Sequence, residues 1–433
     1  MKVALIGNMN NNNFAIMRFL RSAGIEADLF LLANEINPEK NHFHPNYDTW
    51  NYKKWEPFIH HSKISEDIIS AFNFPMSWVL SLRSYLRSIL NDNINFIKPV
   101  SKKYVQNQFK GYTHIIGSGI MPAVLKRIKI KLSIFYPYSM GIEYIEQSKF
   151  SLNKDKLFFI SQMIHKIIYN NQLEGIKSSK AVIDPDLSLN KVIYKKYNIE
   201  VIRLFVPLLF NEEFKESEIT KPYVKNLIKK IKNADFSILS HARHIWVKPV
   251  NISDLEWKKI NKNTDWIVKA FAKIISKNKL LDLKLILFEY GEDFVATKRL
   301  CEELGIKKHI LWVPKIDRKN IMALLKYVDI GIGEFYEIKN VFWGGTAIEI
   351  LSSGTPLIQG GNFTSKLFKE NFDIPLPPIL FANSKEEIYD KISYLMSDSM
   401  QRQQLGKKSS NWIKLYYGEK MIAKWIDLMK FQL

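Results

Sequence analysis

Short apolar runs alternate with amphipathic stretches from the first residues onward. Residues 3–6 are a compact apolar run that predicts a buried strand. An asparagine-rich turn follows, and Phe14, Met17 and Leu20 then recur at helical spacing until Gly24, where the helix is predicted to end. Strands that alternate with helices in this way form parallel sheets with helices packed on both faces.

The same alternation continues through both halves of the chain. Six apolar runs in the first half are predicted strands: 3–6, 27–32, 113–116, 132–136, 181–184 and 201–205. A second series of six follows at 236–239, 283–288, 310–313, 330–332, 356–358 and 379–381. We therefore predict an α/β fold with two doubly wound, Rossmann-like domains. Two such domains in one chain usually enclose a cleft, which both face with the carboxyl ends of their strands.

Shifts in composition predict where these domains begin and end. Residues 1–212 are expected to form the first domain, and residues 233–410 the second. The segment between them, 213–232, is charged and lacks strand character, which indicates a linker. Residues 411–433 are expected to form a C-terminal helix that returns to the first domain and packs across both.

An aromatic and basic region at about 45–110 interrupts the first series of strands. It is expected to be mostly helix and loop, and three of its residues are tryptophans. One interpretation is a satellite core beneath an inserted helical pair, and the other is a platform that binds a substrate. Aromatic content alone favours the satellite core.

Charge and cysteine content narrow the functional classes. The 433 residues carry a formal net charge of +20, which attracts polyanions such as phosphates, nucleic acids and anionic lipids. A single cysteine excludes an internal disulfide, and no apolar stretch reaches the roughly 18 residues that a membrane-spanning helix needs. The first residues leave no room for a signal peptide, so a cytoplasmic protein is expected.

One stretch of the first half is free of acidic residues. Between Asp92 and Glu143 every charged side chain is basic. This window is either a solvated face of a lysine-rich protein or a dedicated surface for anions, and composition favours neither. Its basic residues are Lys98, Lys102, Lys103, Lys110, Lys126, Arg127, Lys129 and Lys131.

Polar residues that follow the predicted strands of the second half are candidates for chemistry. Arg243 and His244 follow the first of these strands, and Lys262 lies just before a predicted helix start. Cations and helix N-termini together bind a diphosphate well, because both stabilise its charge. His241 and His244 could suggest a metal site, but no acidic or cysteine ligand lies near them in the sequence, so no metal is predicted.

Two further turns and one helix start complete the candidate site. Tyr290 with Gly291, and Trp312 with Val313, follow the next two strands; Gly291 permits a ligand to approach the backbone closely. A phosphate can bind the amides of Gly344, Gly345 and Thr346, where a glycine pair opens a helix. One turn inside that helix, Glu349 can accept hydrogen bonds from both hydroxyls of a ribose.

These last residues resemble the donor site of the group 1 glycosyltransferases, the retaining family with the two-domain GT-B fold. In that family the second glutamate of a Glu-x7-Glu pattern opens the sequence Glu-Ala-Met-Ala-x-Gly-x-Pro-Val-Ile; here Glu349 opens Glu-Ile-Leu-Ser-Ser-Gly-Thr-Pro-Leu-Ile. The position eight residues earlier is Val341, so Glu334 or Glu337 would stand for the first glutamate after a short insertion.

Other positions extend the resemblance. Arg243 and Lys262 match the family's basic pair. Gly7 lies at its glycine-containing first loop, and residues 138–143 resemble its His-x-Gly-x-Asp segment. The turns at Tyr290 and Gly291, and at Trp312 and Val313, match those that meet the donor.

The resemblance implies a metal-independent transfer of sugar from a nucleotide-diphosphate sugar. A UDP-sugar is the expected co-substrate, with no bound cofactor, and a glycan or lipid-diphosphate-linked glycan is the expected acceptor. Glu349 would bind ribose, Arg243 and Lys262 the diphosphate, and Glu334 or Glu337 would serve as the first glutamate. The first domain would serve the acceptor, in surface polysaccharide or glycoconjugate synthesis at the inner face of the cell membrane, where the basic window would meet anionic lipid.

Two other functions remain open. A nucleotide-sugar epimerase has the same architecture and donor site, and only the insertion at 45–110, which offers an acceptor surface, favours a transferase. A nucleic-acid-binding protein would explain the charge, but the basic residues are scattered and no recognised binding module accompanies them, so nucleic acid is not an expected partner.

Overall fold

The computed structural model describes residues 1–37, 43–64, 100–137, 142, 145, 158–185, 187–337 and 344–430. The chain forms two compact units, of which the first is Met1–Phe210 with Gly418–Leu433, and the second is Asn211–Tyr417. The segment 213–232, predicted to be a linker, lies inside the second unit, where Pro222–Lys232 is a helix. Its apolar residues recur at helical spacing and are buried, so it packs as part of that unit.

The first unit is built on a sheet of six parallel strands. They are β1 (Lys2–Ile6), β2 (Glu26–Leu31), β3 (Ile59–His61), β4 (His114–Gly117), β5 (Ile134–Phe135) and β6 (Ala181–Val182). Their order across the sheet is β3-β2-β1-β4-β5-β6. Parallel pairing buries both faces of a sheet under helices, which is why four of the five residues of β1 and all four residues of β4 are buried.

The helices of the first unit connect these strands and cover the sheet. They are α1 (Asn12–Ser22), α2 (Tyr52–Trp55), α3 (Lys102–Gln108), α4 (Met121–Lys126), α5 (Phe158–Lys177) and α6 (Leu187–Tyr197). Short 3-10 turns occupy Met9–Asn11, Pro45–Tyr47 and Glu56–Phe58. One core cluster runs from the strands onto α3, α4 and α5 and includes Ile6, Val105 and Ile168.

The second unit repeats this design. Its strands are β7 (Phe236–Ser240), β8 (Leu283–Phe288), β9 (Ile310–Val313), β10 (Ile330–Ile332), β11 (Leu357–Gln359) and β12 (Ile379–Phe381). The sheet is again parallel, with the order β12-β11-β10-β7-β8-β9. The strand order therefore reverses between β7 and β10, where the loops that follow these neighbouring strands can hold a ligand between them.

The helices of the second unit follow its strands in turn. They are α7 (Pro222–Lys232), α8 (Asp254–Ile260), α9 (Thr264–Lys277), α10 (Phe294–Glu303), α11 (Arg318–Leu325), α12 (Gly345–Ser353), α13 (Ser365–Phe372), α14 (Lys385–Ser397) and α15 (Ser399–Trp412). Two 3-10 turns lie at Glu216–Glu218 and Lys307–His309. The core beneath α9 and α14 includes Phe271, Ile332 and Ile388.

A π-helical turn, Ile413–Glu419, continues α15 into the last helix, α16 (Lys420–Lys430). This helical run leaves the second unit at Tyr417 and enters the first at Gly418. Trp425 is fully buried in the first unit and donates from its indole nitrogen to the Phe205 carbonyl over 2.9 Å. The carbonyl of Met429 lies 3.0 Å from a ring nitrogen of His114 on β4.

The two predicted sets of strands fared differently. All six strands predicted in the second half form within a residue or two, and the fold class is confirmed. In the first half, residues 201–205 form no strand beyond a single bridge between Ile202 and Ile183, while β3 was not predicted. The three residues of β3 are Ile59, His60 and His61, and a run this short and polar has no strand signature.

Part of the aromatic region at 45–110 lies outside the described residues, as do most of residues 138–143. Where it is described, the region contributes α2, β3 and α3, so it is not helix and loop alone. No helix in the described ranges is long and apolar enough to cross a membrane.

Candidate functional site

Charged side chains meet at the carboxyl ends of β7 and β10 in the second unit. The loop after β7 carries His241, Arg243 and His244, and the loop after β10 carries Glu334 and Tyr336. Because these two strands are neighbours in the sheet, their loops leave it side by side. The start of helix α12 adds Gly344 and, one turn on, Glu349.

Lys262 and Glu334 form a buried ion pair at the centre of this group. The exposed fractions of their side chains are 7% and 8%, and the lysine Nζ contacts Glu334 Oε1. Tyr336 joins them, since its hydroxyl donates to Glu334 Oε2 over 2.6 Å and receives a bond from Lys262 Nζ at 3.1 Å. Both oxygens of the Glu334 carboxylate therefore have a hydrogen-bond donor.

The backbone of Glu334 is fixed by the side-chain amide of Gln359. The Glu334 amide donates to Gln359 Oε1 over 3.1 Å, and Gln359 Nε2 donates back to the Glu334 carbonyl over 2.6 Å. A Cβ on Gly344 would lie 3.4 Å from Glu334 Oε2. The Glu334 carboxylate thus sits beside the start of α12, where free amides favour an anion.

A second buried carboxylate, Glu349, has a donor on each oxygen. His241 Nε2 lies 2.5 Å from Glu349 Oε2, and Arg318 Nε donates to Glu349 Oε1 over 2.7 Å. The three side chains come from the loop after β7, the first residue of α11 and the middle of α12. The Glu349 carboxylate is consequently held by elements that are far apart in the sequence.

Burial and charge shift the pKa values of these groups. Burial lowers the pKa of Lys262 below its ordinary value, although the Glu334 carboxylate opposes the shift, and the nearby guanidinium of Arg243 lowers this pKa further. Burial raises the pKa of Glu349, but the hydrogen bond from His241 and the charge of Arg318 outweigh it and leave the pKa below its usual value. Glu349 is therefore an anion at neutral pH.

Backbone hydrogen bonds connect the loop after β7 to the turn after β8. The His244 amide donates to the Tyr290 carbonyl over 3.2 Å, and the Asp293 amide donates to the His244 carbonyl over 2.9 Å. Gly291 has φ +114°, and a Cβ there would lie 2.3 Å from the His244 nitrogen. Only glycine allows the two loops to approach this closely.

His244 and Tyr290 are engaged in this packing. The His244 ring is fully buried and bonds the Phe288 carbonyl through Nε2 over 2.8 Å, and burial lowers its pKa to about 4. The Tyr290 hydroxyl donates to the His241 carbonyl. Burial raises the pKa of Tyr290, and the charge of Glu349 raises it further. Both residues thus keep the loop after β7 in place and remain neutral at ordinary pH.

Three buried polar atoms at the end of β7 and in the loop that follows it have no hydrogen-bond partner among the described residues. They are Ser240 Oγ, His241 Nδ1 and His244 Nδ1. Buried polar groups in folded proteins are nearly always paired, so a cluster of unpaired ones indicates a place where water or a ligand completes the bonding.

The structure places the predicted site residues as follows. Arg243 is exposed at the rim, whereas Lys262, Glu334 and Glu349 are buried. Glu337 is exposed and accepts a bond of 3.3 Å from Asn261. The remaining predicted residues of this unit are His244, Tyr290, Gly291, Trp312, Val313, Gly344, Gly345 and Thr346, all in loops after strands, at the end of β9 or at the start of α12.

Gly7 lies in the first unit, in the loop after β1. Its φ is +77°, and its amide donates to the Phe30 carbonyl over 3.0 Å. The next residue, Asn8, donates its amide to Glu35 Oε1 over 2.7 Å. The left-handed conformation explains the glycine without any ligand.

Sequence reasoning missed Arg318, Tyr336 and Gln359, and it considered His241 only as a metal ligand. Arg318 begins the helix that follows β9, a position at the carboxyl end of the sheet that could have marked it. The bond between Gln359 and Glu334 joins residues 25 positions apart, and the bond between His241 and Glu349 joins residues 108 positions apart, so no local pattern reveals them. Across the described ranges, no three His, Cys, Asp or Glu side chains converge as metal ligands do.

Comparison with known protein families gives a match within the second unit. Residues 258–412 match the family described as glycosyl transferases group 1. No curated protein sequence matches the chain.

Solved structures match over the full chain. Anabaena HepE, solved with UDP-glucose, has 12% identity and TM-score 0.54, covering 100% of both chains. S. aureus TarM, solved with fondaparinux, α-GlcNAc-glycerol and UDP, has 11% identity and TM-score 0.56, covering 99% of this chain and 100% of TarM. The UDP-GlcNAc 2-epimerase of Neisseria meningitidis, solved with UDP-GlcNAc, has 12% identity and TM-score 0.51, covering 100% of both chains.

At these identities the structural matches establish the fold alone. The family match covers most of the second unit, including the loops after β8, β9 and β10 and the whole of α12. The resemblance noted from the sequence is therefore confirmed by the match of residues 258–412 to the group 1 glycosyltransferase family.

Proposed function

We propose that this protein is a metal-independent glycosyltransferase that takes its sugar from a nucleotide-diphosphate sugar, with UDP-sugars as the first candidates. The observation that carries this proposal is the family match over residues 258–412, together with a buried cation and a buried carboxylate on the loops that this match includes. HepE and TarM, which share the fold, were solved with UDP-glucose and with UDP respectively.

In this proposal Glu349 holds the ribose of the donor. Its carboxylate is ionised and buried, with 7% of the residue's surface open to solvent. An ionised carboxylate has about four acceptor positions, and His241 and Arg318 fill one on each oxygen. One position per oxygen remains, which suits two neighbouring hydroxyls.

Lys262 and Arg243 would stabilise the departing diphosphate. Negative charge grows on the diphosphate as the sugar–oxygen bond breaks, so cations aimed there lower the barrier. Lys262 contacts Glu334, whose carboxylate lies beside the start of α12, and Arg243 is close enough to lower the lysine pKa by its charge. Gly344, Gly345 and Thr346 supply the backbone amides of this helix start.

Glu334, rather than Glu337, is the better candidate for the first glutamate. Glu334 is buried and contacts Lys262, whereas Glu337 is exposed and bonded to Asn261. A carboxylate next to the leaving group can bind the hydroxyls of the donor sugar or stabilise positive charge at its reacting carbon. Tyr290, Trp312 and Val313 would line the donor's base and ribose from the turns after β8 and β9.

The acceptor side of the proposal is a glycan or a lipid-diphosphate-linked glycan at an anionic membrane surface. Five lysines of the acid-free window, Lys103, Lys110, Lys126, Lys129 and Lys131, are exposed in the first unit, and Lys98 lies outside the described residues. Vesicles that contain anionic lipid should pellet the protein, and more salt should release it. Reversing the charge of Lys102, Lys103, Lys126 and Arg127 to Glu should abolish pelleting; a variant that still pellets would place the surface elsewhere.

An epimerase of the same architecture is the second candidate, because one of the matched structures is such an enzyme. The two activities differ in their products. An epimerase converts a nucleotide sugar into its epimer without an acceptor, whereas a transferase releases the nucleoside diphosphate when an acceptor is present. Chromatography of UDP-sugars incubated with the protein, with and without membrane lipid extracts, distinguishes them.

Calorimetry of nucleoside diphosphate binding tests the donor site. Glu349→Gln should weaken binding by about 1.5 to 3 kcal/mol, the typical value of hydrogen bonds to a charged group, while Glu303→Gln, an exposed carboxylate on α10, should leave it unchanged. Failure of the unaltered protein to bind any nucleoside diphosphate would contradict the proposal.

A further inference from the structure

Glu349 is clamped from two sides, and the clamp is the most specific feature of the site. His241 Nε2 and Arg318 Nε approach opposite oxygens at 2.5 Å and 2.7 Å. Among the described residues Glu349 receives no other side-chain hydrogen bond. All three side chains are largely shielded from water, with exposed fractions of 3% for His241, 16% for Arg318 and 9% for Glu349.

A carboxylate held by one donor can rotate about its last bond, but one held through both oxygens by separate elements cannot. His241 is anchored by its own carbonyl, which accepts from Tyr290, and its ring packs edge-on to Phe288 at 6.0 Å. Arg318 is the first residue of α11 and so is fixed by that helix. The plane of the Glu349 carboxylate is therefore fixed before any ligand binds. Binding then carries no entropic cost for ordering this side chain.

We infer that His241 and Arg318 are positioning residues that make Glu349 bind both ribose hydroxyls, so that the donor is a ribonucleotide sugar and 2′-deoxyribonucleotide sugars such as those of thymidine are excluded. The inference rests on the proposed function and adds the class of donor to it. A ligand without the 2′-hydroxyl leaves one acceptor of a buried, immobile anion unpaired. A site built to bond a hydroxyl rejects analogues that lack it for this reason.

The clamp also explains why two donors are present rather than one. Loss of either His241 or Arg318 would leave the Glu349 carboxylate free to turn and to bind whichever ribose hydroxyl remains. The affinity for the nucleotide would then survive, while the discrimination between ribonucleotide and 2′-deoxyribonucleotide would fall. This separates a positioning role from a structural one, since a structural defect lowers the affinity for both nucleotides alike.

Calorimetry with a panel of UDP, GDP, ADP, CDP and thymidine diphosphate tests the inference. The ribonucleotide that binds most tightly is then compared with its own 2′-deoxy form. The unaltered protein should prefer the ribonucleotide by about tenfold or more, the effect of one hydrogen bond to a charged group. Arg318→Met and His241→Phe should bring the ratio towards one, while Arg318→Lys and His241→Gln, which keep a donor, should restore part of it.

Matched controls are available in the same unit. Arg299→Gln removes an exposed arginine from α10, and His309→Gln alters a histidine that bonds the Leu283 carbonyl; neither should change the ratio. Circular dichroism and melting curves show whether each variant is folded. If Arg318→Met or His241→Phe does not fold, the inference is tested by the partial loss of discrimination in Arg318→Lys and His241→Gln.

The outcomes separate the inference from the proposed function. Thymidine diphosphate binding most tightly, equal binding of ribo and deoxy forms, or an unchanged ratio in folded clamp variants would overturn the inference and leave a glycosyltransferase in place. If no nucleoside diphosphate of the panel binds, and no nucleotide sugar is consumed, the proposed function fails.

Discussion

Replacing Glu334 by glutamine should make the protein bind nucleoside diphosphates more tightly. Glu334 is the buried counter-anion of Lys262, and its carboxylate lies beside the start of α12. A diphosphate that reaches Lys262 therefore meets a resident negative charge. Glutamine keeps the shape of the side chain and its bond to Tyr336 but removes that charge.

The size of the effect depends on how closely the diphosphate would approach the Glu334 carboxylate. Two like charges about 5 Å apart repel by about 3 kcal/mol at an effective dielectric constant near 20. Part of this gain is lost, because Glu334 raises the pKa of Lys262 and its removal lets that pKa fall further. We expect a net gain of about 1.4 to 2.8 kcal/mol, a tenfold to hundredfold tighter complex.

Titration calorimetry of Glu334→Gln with UDP and with uridine, in slightly acidic buffer that keeps Lys262 protonated, measures this directly. UDP should bind more tightly and uridine should not, because only the diphosphate approaches the removed charge. Turnover should fall at the same time if Glu334 is the first glutamate. Glu303→Gln, which removes an exposed carboxylate from α10, serves as the control.

A Glu334→Gln protein that is folded and binds UDP no better than the unaltered protein would refute this reasoning. Equal gains for UDP and uridine would also refute it, since they would point to a general loosening of the site rather than to relief of charge repulsion.

Three further predictions concern the stability of the two units. Burial lowers the pKa of His244 from 6.5 to about 4, so the unfolded chain binds the proton more readily than the folded protein. About 3 kcal/mol of the free energy of unfolding should therefore be lost as pH falls from 6.5 to 4. His244→Gln should reduce this loss when urea unfolding is measured across that pH range. Gly291→Ala should lower the melting temperature far more than Gly305→Ala, because both have positive φ but only the first Cβ meets backbone. Arg18→Met should cost about 3 to 5 kcal/mol by chemical denaturation, because it leaves Asp48 charged and fully buried.

Each of these has a clear contrary result. An acid profile of His244→Gln parallel to that of the unaltered protein would mean that folding does not lower the pKa of His244. Equal melting of the two alanine variants would show that the loops after β7 and β8 separate at little cost. If Arg18→Met lowers the free energy of unfolding by less than about 1 kcal/mol, water reaches Asp48 and the ion pair is not shielded from solvent.

Local patterns were sufficient to predict the second sheet and to single out Glu349 as a candidate. Its strands are apolar runs between clear turns, and Glu349 stands in a motif whose residues are adjacent in the sequence. His241 could not be found as a partner of Glu349 in this way, because it is 108 positions away and meets Glu349 through the pairing of β7 with β10 and the placement of α12. The strand β3 was missed for a different reason, since its pairing with β2 outweighs a weak local preference.

The passage of the last helical run from the second unit into the first has a consequence for biosynthesis. Trp425 and Met429 on α16 fill the interior of the first unit, yet the ribosome makes them after every residue of the second. When residues 1–210 have been synthesised, the first unit therefore still lacks part of its hydrophobic core. That part is supplied by α16 only after more than two hundred further residues have been added. The first unit begins to be made first and is completed last, which links its maturation to successful synthesis of the second unit.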